Sequence, residues 1–161
     1  MVTADVNAGR AMWAEYRESR PGVADEEPVV ECFGDSAELA DELLGFVLGG
    51  TKRATTALVA AFADESDPLP RIGSHWVACN GSGEPRVILR TIELRIGPLS
   101  SVDEQFAWEE GEYERTLESW WNGHRAFFGR SCEELGIGYS DELEAIFERF
   151  EVVWPPQHAD S

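Results

Sequence analysis

A short turn between two extended segments most limits the folds that this chain can adopt. The tetrapeptide Asn80-Gly81-Ser82-Gly83 has the composition of a hairpin connection, and an extended segment at residues 75–79 precedes it. Over residues 86–96, apolar and polar side chains alternate, which is the pattern of a half-buried strand. The sequence therefore predicts an antiparallel sheet.

Helices and further strands are predicted on both sides of this hairpin. Ser36 is a suitable N-cap for a helix whose apolar residues recur as far as Leu48, just before Gly49-Gly50. Other patterns predict helices over residues 5–18, 101–110 (capped by Ser101 or Asp103) and 117–135, strands over residues 29–33, 54–62 and 146–154, and a loop over residues 64–71. Residues 146–154 are expected to form an edge or closing strand, and residues 141–147 are alternatively helical. This order predicts an α+β fold in which mainly antiparallel strands curl into a small β-barrel flanked by helices.

Length and composition indicate one domain with a substantial core. The chain has 161 residues, of which 43% are hydrophobic and 11% aromatic. No apolar run approaches the ~18 to 20 residues that span a bilayer, and no signal-peptide pattern is present, so we expect a cytoplasmic protein without a membrane partner. Cys32, Cys79 and Cys132 lie far apart with no paired spacing, which predicts free thiols.

The net charge of -18 restricts the partners, because a nucleic acid would be repelled by the overall field. Duplex DNA is therefore not expected. Acidic residues are absent from residues 43–63, 68–83 and 119–132. The basic side chains and histidines of these three windows are Lys52, Arg53, Arg71, His75, His124, Arg125 and Arg130. If the windows meet in space they form a neutral-to-positive cleft; alternatively they are core strands and a buried helix face.

Lys52 is the single lysine, against twelve arginines. A buried amine can lose its proton and act as a base or nucleophile, whereas arginine stays charged. Lys52 follows two glycines at a predicted helix end and precedes hydroxyl side chains, a setting that suits a polar or anionic ligand. Alternatively it is a surface lysine that complements the helix dipole. The segment is not a phosphate-binding loop, because its glycines follow a helix instead of opening one.

Several short motifs, in order, resemble the ASCH domain family. They are Phe33-Gly34-Asp35, Gly50-Thr51-Lys52-Arg53-Ala54-Thr55, Leu69-Pro70-Arg71-Ile72-Gly73, Ala107-Trp108-Glu109-Glu110-Gly111-Glu112, Trp120-Trp121-Asn122-Gly123-His124-Arg125-Ala126-Phe127-Phe128 and Phe150-Glu151-Val152-Val153. The match covers about residues 29–154. It places a domain at residues 29–156, after an N-terminal helix and linker at residues 1–28 and before a frayed tail at residues 157–161.

The resemblance implies a PUA-like β-barrel with a cleft beside Lys52, a role in RNA binding, and hydrolysis in some members. Family activities include ribonuclease action and, in a shorter branch, amide hydrolysis on N4-acylated cytidine by a lysine, a threonine and a glutamate. Carried over, that catalytic set is Lys52, Thr55 and Glu110. This chain is longer than that branch and carries extra helical segments. Glu110 also lies in a run of glutamates that is alternatively a solvated acidic face.

The two chemistries require opposite charge states of Lys52. In amide hydrolysis a neutral Lys52 takes the proton of Thr55, whose hydroxyl attacks the carbonyl, while Glu110 orients the amine. In RNA cleavage a charged Lys52 stabilises the phosphorane, and Glu110 acts as general base. Arg53 holds a phosphate or carbonyl in either case.

Further substrate-binding residues are predicted to be Arg71, Trp120, His124 and Arg125. The aromatic residues of the segment around Trp120 recur at helical spacing, so they form either core or a surface on which a base stacks. No metal site or cofactor is predicted: His75 and His124 lack an evident third ligand, although the glutamate run is compatible with a divalent ion.

The function predicted first is cleavage of single-stranded RNA by a ribonuclease-like hydrolase. The alternatives are an amidohydrolase acting on N4-acylated cytidine-type nucleosides and a non-catalytic RNA-binding or regulatory module. The partner is accordingly RNA or a modified nucleoside. The charge favours the small neutral substrate, which the acidic surface does not repel.

Overall fold

Five strands and four α-helices make up most of the computed structural model, which describes residues 2–62 and 69–161. The helices are α1 Val6–Ser19, α2 Ala37–Leu48, α3 Glu104–Glu110 and α4 Leu117–Leu135. The strands are β1 Val29–Cys32, β2 Ala54–Leu58, β3 His75–Cys79, β4 Pro85–Pro98 and β5 Glu144–Trp154. Short 3-10 helices occupy Val59–Phe62 and Leu99–Ser101. None of the described helices is long and apolar enough to cross a membrane.

The strands form one sheet in the order β1-β3-β4-β5-β2. β1 pairs with β3 in parallel, and the other three pairings are antiparallel. The register shifts within the β3–β4 pair and twice within the β4–β5 pair, and such irregularities bend strands. The sheet curls into a half-barrel, so the predicted α+β fold with a curled, mainly antiparallel sheet is confirmed.

Each helix begins at a residue whose side chain accepts a hydrogen bond from the backbone of the first turn. These caps are Asp5 for α1, Ser36 for α2, Asp103 for α3 and Thr116 for α4. Three of the helices begin where the sequence predicts, and of the two caps considered for α3 it is Asp103 that serves.

The helices cover different parts of the sheet, and each covered part has its own apolar cluster. α1 packs Trp13 and Tyr16 against Val77 and Ile88. α2 packs against β3, β4 and β5 through its apolar face, including Leu44. The third cluster joins α3 and α4 to β2 and β5, with these buried residues at its centre: Leu58, Phe106, Trp120, Phe128 and Phe147. This third cluster lies directly beneath the site described below.

Several predictions at the edges of elements were wrong. Of the edge and closing positions expected for residues 146–154, the edge is wrong, because β5 lies between β4 and β2. Its start at Glu144 shows that residues 141–147 are not helical. The strand predicted over residues 54–62 ends at Leu58 because the chain then turns into a 3-10 helix. Most of the loop predicted over residues 64–71 lies outside the described residues.

The C-terminal tail also differs from the frayed end that the sequence suggests. Asp160 accepts hydrogen bonds from Arg53 Nε and from the backbone nitrogen of Val152, each at 3.0 Å. The tail is thereby held against the start of β2 and the end of β5. The three cysteines are free thiols, as predicted.

Candidate active site

A cavity of about 200 Å³ opens between α2, β2 and the α3–α4 pair, and Lys52 lies in its wall. Its ionisable lining groups are Lys52, Glu110, Glu112, Tyr113, His124 and Arg130. The remaining lining residues are apolar, small or hydroxylic: Phe33, Gly34, Leu39, Leu43, Thr55, Thr56, Ala107, Thr116, Ser119, Trp120, Gly123 and Phe127. Two of the acid-poor windows thus meet here, but Glu110 and Glu112 enter from another segment. The basic side chains of the cavity are therefore offset by two carboxyl groups.

Lys52 is a buried residue, not the surface lysine considered above, since its exposed fraction is 1%. Its Nζ donates a hydrogen bond of 2.7 Å to the carbonyl oxygen of Ala54. The same nitrogen lies 3.7 Å from Glu112 Oε2 and 3.9 Å from Glu110 Oε1. It also lies 5.5 Å from the centre of the Phe33 ring. An amine in this position is shielded from water and held by two carboxyl groups.

The close approach of two backbone segments brings Lys52 to the two carboxyl groups. Gly111 ends α3 with a φ of 68°, the left-handed conformation that glycine adopts readily. A Cβ at Gly111 would lie 1.9 Å from the carbonyl oxygen of Thr51, so any side chain there would separate the segments. The backbone nitrogen of Arg53 donates to the Glu109 carbonyl oxygen at 2.8 Å and fixes the contact.

Glu110 is held on several sides and has an exposed fraction of 1%. Its Oε2 accepts a hydrogen bond from Trp120 Nε1 and lies 2.9 Å from His124 Nε2. Burial by itself would raise the pKa of Glu110, but the charges of His124 and Lys52 and the hydrogen bonds from His124 and Trp120 outweigh it and lower the pKa. Glu110 is therefore an ionised carboxylate, not part of a solvated acidic face.

His124 lies on α4 with both ring nitrogens engaged. Nδ1 is 2.8 Å from the carbonyl oxygen of Trp120, which can only accept, so Nδ1 carries the proton of that bond. The imidazole also stacks on the Trp120 ring with centroids 4.1 Å apart. Burial opposes the charged imidazole, yet the charge and hydrogen bond of Glu110 dominate and raise the pKa of His124. Each of the two residues thereby stabilises the charged form of the other.

Glu112 is the least satisfied group of the cluster. Its Oε2 is buried and accepts no hydrogen bond from any described residue. Besides Lys52, its nearest basic neighbour is His124, with Nε2 at 3.6 Å. Burial raises the pKa of Glu112, and the negative charge of Glu110 adds to this, against the opposing charge of Lys52. Sequence reasoning missed Glu112 because it stands in a run of glutamates that looks uniformly solvated.

Two threonines of β2 reach the cavity, although the sequence singled out only one. Thr55, the predicted nucleophile, is half-buried and lines the cavity wall. Its neighbour Thr56 also lines it and is 8% exposed, and its Oγ1 has no hydrogen-bond partner among the described residues. The sequence Thr55-Thr56 gives no indication that the Thr56 hydroxyl lacks a hydrogen-bond partner, because that depends on the folded structure.

The predicted substrate-binding arginines lie outside the cavity lining, and each pairs with an acid. Arg53 binds Asp160 at 2.9 Å, Arg71 lies 3.7 Å from Glu26, and Arg125 binds Asp141 at 2.8 Å. The charged side chain at the cavity rim is instead Arg130, which pairs with Asp35 at 2.7 Å.

Trp120 and His124 are brought to the cavity as predicted, but their rings are already occupied. Trp120 is 5% exposed and stacks on His124, and its indole nitrogen serves Glu110. Trp120 is therefore a core residue and not a surface on which a base stacks, and its indole nitrogen helps to position the Glu110 carboxylate.

Three residues of this cluster carry groups that bind divalent ions. Ligand atoms of Glu110, Glu112 and His124 lie within 4.8 Å of one another, and a divalent cation accepts such oxygen and nitrogen donors. Lys52 Nζ, however, already supplies a positive charge 3.7 Å from Glu112. A metal ion would have to displace this charge and the proton of His124. We therefore assign the three residues to a charge-paired cluster and derive no step through a metal.

Comparison with known proteins identifies the family of this chain. The sequence model described as ASCH domain matches residues 29–154 of the chain. The chain belongs to the ASCH domain family. The crystal structure of an ASCH domain from Lactobacillus crispatus is 27% identical with a TM-score of 0.83, covering 92% of this chain and 96% of that one. A crystal structure of a protein from Enterococcus faecalis is 28% identical with a TM-score of 0.83, covering 91% of this chain and 88% of that one. A comparison with curated proteins gives no significant match.

The ASCH match begins and ends with the sheet and includes every element that forms the cavity. Helix α1 precedes it, as the sequence predicted.

Proposed function

We propose that this ASCH protein hydrolyses an amide bond in a small, uncharged substrate of nucleobase size, of the N4-acylated cytidine class. The observation that carries the proposal is the position of Lys52, which is 1% exposed and lies between two carboxyl groups in a cavity of about 200 Å³. At ~30 Å³ for each displaced water, such a cavity holds the equivalent of about seven waters. That space suits a single acylated base.

The charges of the cavity support an uncharged ligand. Lys52 and His124 face Glu110 and Glu112, so the cluster contains as many acidic as basic groups. A phosphate would add negative charge beside two carboxyl groups, whereas an amide brings one donor and one acceptor. The apolar lining, with Phe33, is suited to the flat face of a base.

The residues divide the chemistry among them. Once the proton that Lys52 shares with its carboxylate neighbours lies on Glu112, the neutral amine of Lys52 takes the hydroxyl proton of Thr55 as the oxygen attacks the amide carbonyl, and charged Lys52 later returns it. Glu110, His124 and Trp120 form the hydrogen-bonded support that fixes the cluster. The desolvated surroundings strengthen each of these interactions, because water no longer screens them.

Cleavage of single-stranded RNA, the function predicted first from the sequence, is less well supported by this geometry. Arg53, Arg71 and Arg125 are paired with acids and lie outside the cavity lining. Binding of an RNA strand relies on cations that follow its backbone, and Lys52 is too deeply buried to join such a track.

The test is turnover by the purified protein of N4-acetylcytidine and of single-stranded RNA, each with and without a chelator of divalent metals. We expect cytidine and acetate from the first substrate at the same rate in both conditions, and intact RNA. RNA cleavage without amide hydrolysis would replace the proposal by the ribonuclease. Saturable RNA binding with neither reaction would replace it by the non-catalytic module.

A further inference from the structure

The two carboxyl groups beside Lys52 differ in how far their hydrogen-bonding capacity is used. Glu110 Oε2 accepts from Trp120 Nε1 and faces His124 Nε2 at 2.9 Å. Glu112 Oε2 is buried, lies in the cavity wall and accepts no hydrogen bond from any described residue. A buried oxygen without a partner costs free energy unless something that binds there satisfies it. Glu112 Oε2 has cationic neighbours at 3.6 and 3.7 Å but no hydrogen bond, so it is the carboxyl oxygen of this pair that can still accept one from a substrate.

The neighbours of Glu112 also set its protonation. Lys52 Nζ at 3.7 Å and His124 Nε2 at 3.6 Å attract a negative charge, while Glu110 repels one. Burial and Glu110 prevail, so the pKa of Glu112 is raised, whereas that of Glu110 is lowered. Two carboxyl groups whose pKa values are driven apart in one site are suited to separate roles, one holding a proton and one holding a charge.

We propose that Glu112, and not Glu110, is the catalytic acid that protonates the leaving nitrogen of the substrate. This assignment rests on the amide hydrolysis proposed above. It makes Glu110 a positioning residue, which acts through His124 and Trp120.

The proton balance of the reaction closes with these groups. The reacting form carries the one proton of the Lys52–Glu112 pair on Glu112, which leaves Lys52 as a neutral amine. In the first half, Thr55 Oγ bonds to the carbonyl carbon and its proton passes to this amine. The carbon–nitrogen bond then breaks as nitrogen takes the proton of Glu112, which releases the amine and leaves an acyl ester on Thr55. In the second half, water attacks this ester and gives a proton to the Glu112 carboxylate. The ester bond breaks as Thr55 Oγ recovers its proton from Lys52, so one water is consumed and one acid and one amine are formed.

A general acid at Glu112 is needed only for a poor leaving group. A substitution that merely disturbed the structure would instead slow the reaction with any leaving group. An amide nitrogen cannot leave as an anion, whereas 4-nitrophenolate leaves an ester without a proton. The experiment compares formation of the acyl-enzyme from N4-acetylcytidine and from 4-nitrophenyl acetate, in the wild type and in Glu112→Gln. Glu114→Gln is the matched control, because Glu114 is exposed and lies on the same segment.

We expect Glu112→Gln to slow acylation by the amide by about 100-fold or more, the contribution of a general acid. The burst of 4-nitrophenolate should keep the wild-type rate and an amplitude of one per site, followed by slow release of acetate. Glu114→Gln should match the wild type with both substrates.

Three results would overturn the assignment. Acylation by the amide at the wild-type rate in Glu112→Gln shows that another group supplies the proton, while the amide hydrolysis itself stands. Equal loss with amide and ester shows a structural role for Glu112. A wild type that acylates with neither substrate refutes the proposed function, and the role of Glu112 with it.

Discussion

Removal of the Lys52 charge tests the cluster through protein stability, independently of any substrate. Lys52→Met keeps a side chain of similar length but removes the ammonium that lies 3.7 Å from Glu112 and 3.9 Å from Glu110. At such distances each attraction is about 4 kcal/mol with an effective dielectric constant of about 20. Glu110 retains His124 and Trp120, so Glu112 is the group that must respond.

The protonation of Glu112 determines how much stability Lys52→Met loses. Glu112 can avoid an unpaired buried charge by taking up a proton, and the ordinary pKa of its carboxyl is 4.5. Holding a proton on such a group at pH 7 costs about 3 kcal/mol, which limits the electrostatic loss in the variant. Because the pKa of Glu112 is raised in the folded state, the folded variant binds more protons than the unfolded chain at pH values between the two pKa values. Stability is then fully present below pH 4.5 and falls as the pH rises, by about 1 kcal/mol for each pH unit up to the folded-state pKa.

The assay is urea unfolding followed by tryptophan fluorescence at pH 5, 6 and 7. We expect Lys52→Met to be least stable relative to the wild type at pH 7 and to recover towards pH 5. The double variant Lys52→Met, Glu112→Gln lacks the carboxyl, so it should be more stable than Lys52→Met at pH 7 and should show no such recovery. A deficit that is equal at all three pH values, or a double variant no more stable than Lys52→Met, would refute the coupling.

Two further pairs of variants test the geometry around the cavity. Gly111→Ala should lower the free energy of unfolding by well over the ~1 kcal/mol expected for Gly136→Ala. Both glycines have a positive φ, but only at Gly111 would a Cβ meet the backbone of another segment, at 1.9 Å. Equal losses of stability in urea unfolding would contradict this prediction. Thr55→Val should reduce amide turnover by about a thousandfold or more, because it removes the nucleophile. Thr56→Val should keep the turnover and the stability of the wild type, because it removes a hydroxyl that has no hydrogen-bond partner among the described residues. Loss of turnover in Thr56→Val alone would move the nucleophile to that residue.

Much of the fold follows from local signals in the sequence. The capping side chain of Ser36 and the helical spacing after it define α2, and the alternation over residues 86–96 defines the core of β4. These signals act between neighbours in the chain. The position of β5 inside the sheet depends on pairing with distant strands, so a segment that looked like an edge proved to be interior.

The sequence predicted those site residues whose type is rare in this chain or whose motif resembles a known family. The single lysine among arginines indicated Lys52, the family resemblance added Thr55 and Glu110, and the acid-poor aromatic segment around Trp120 added His124. Glu112 carried no such signal, because its burial results from the close packing of Gly111 on Thr51, a tertiary contact. The arginines misled in the opposite direction: Arg53, Arg71 and Arg125 look available in the sequence, but each is paired with an acid that is remote along the chain or lies on another element.

The most direct test of the central claim is turnover of N4-acetylcytidine by the wild type and by Lys52→Met at pH 6, with urea unfolding as proof that the variant is folded. We expect hydrolysis by the wild type and a loss of about a thousandfold or more in the folded variant. Hydrolysis by Lys52→Met at close to the wild-type rate would contradict the claim that Lys52 is the base of this reaction.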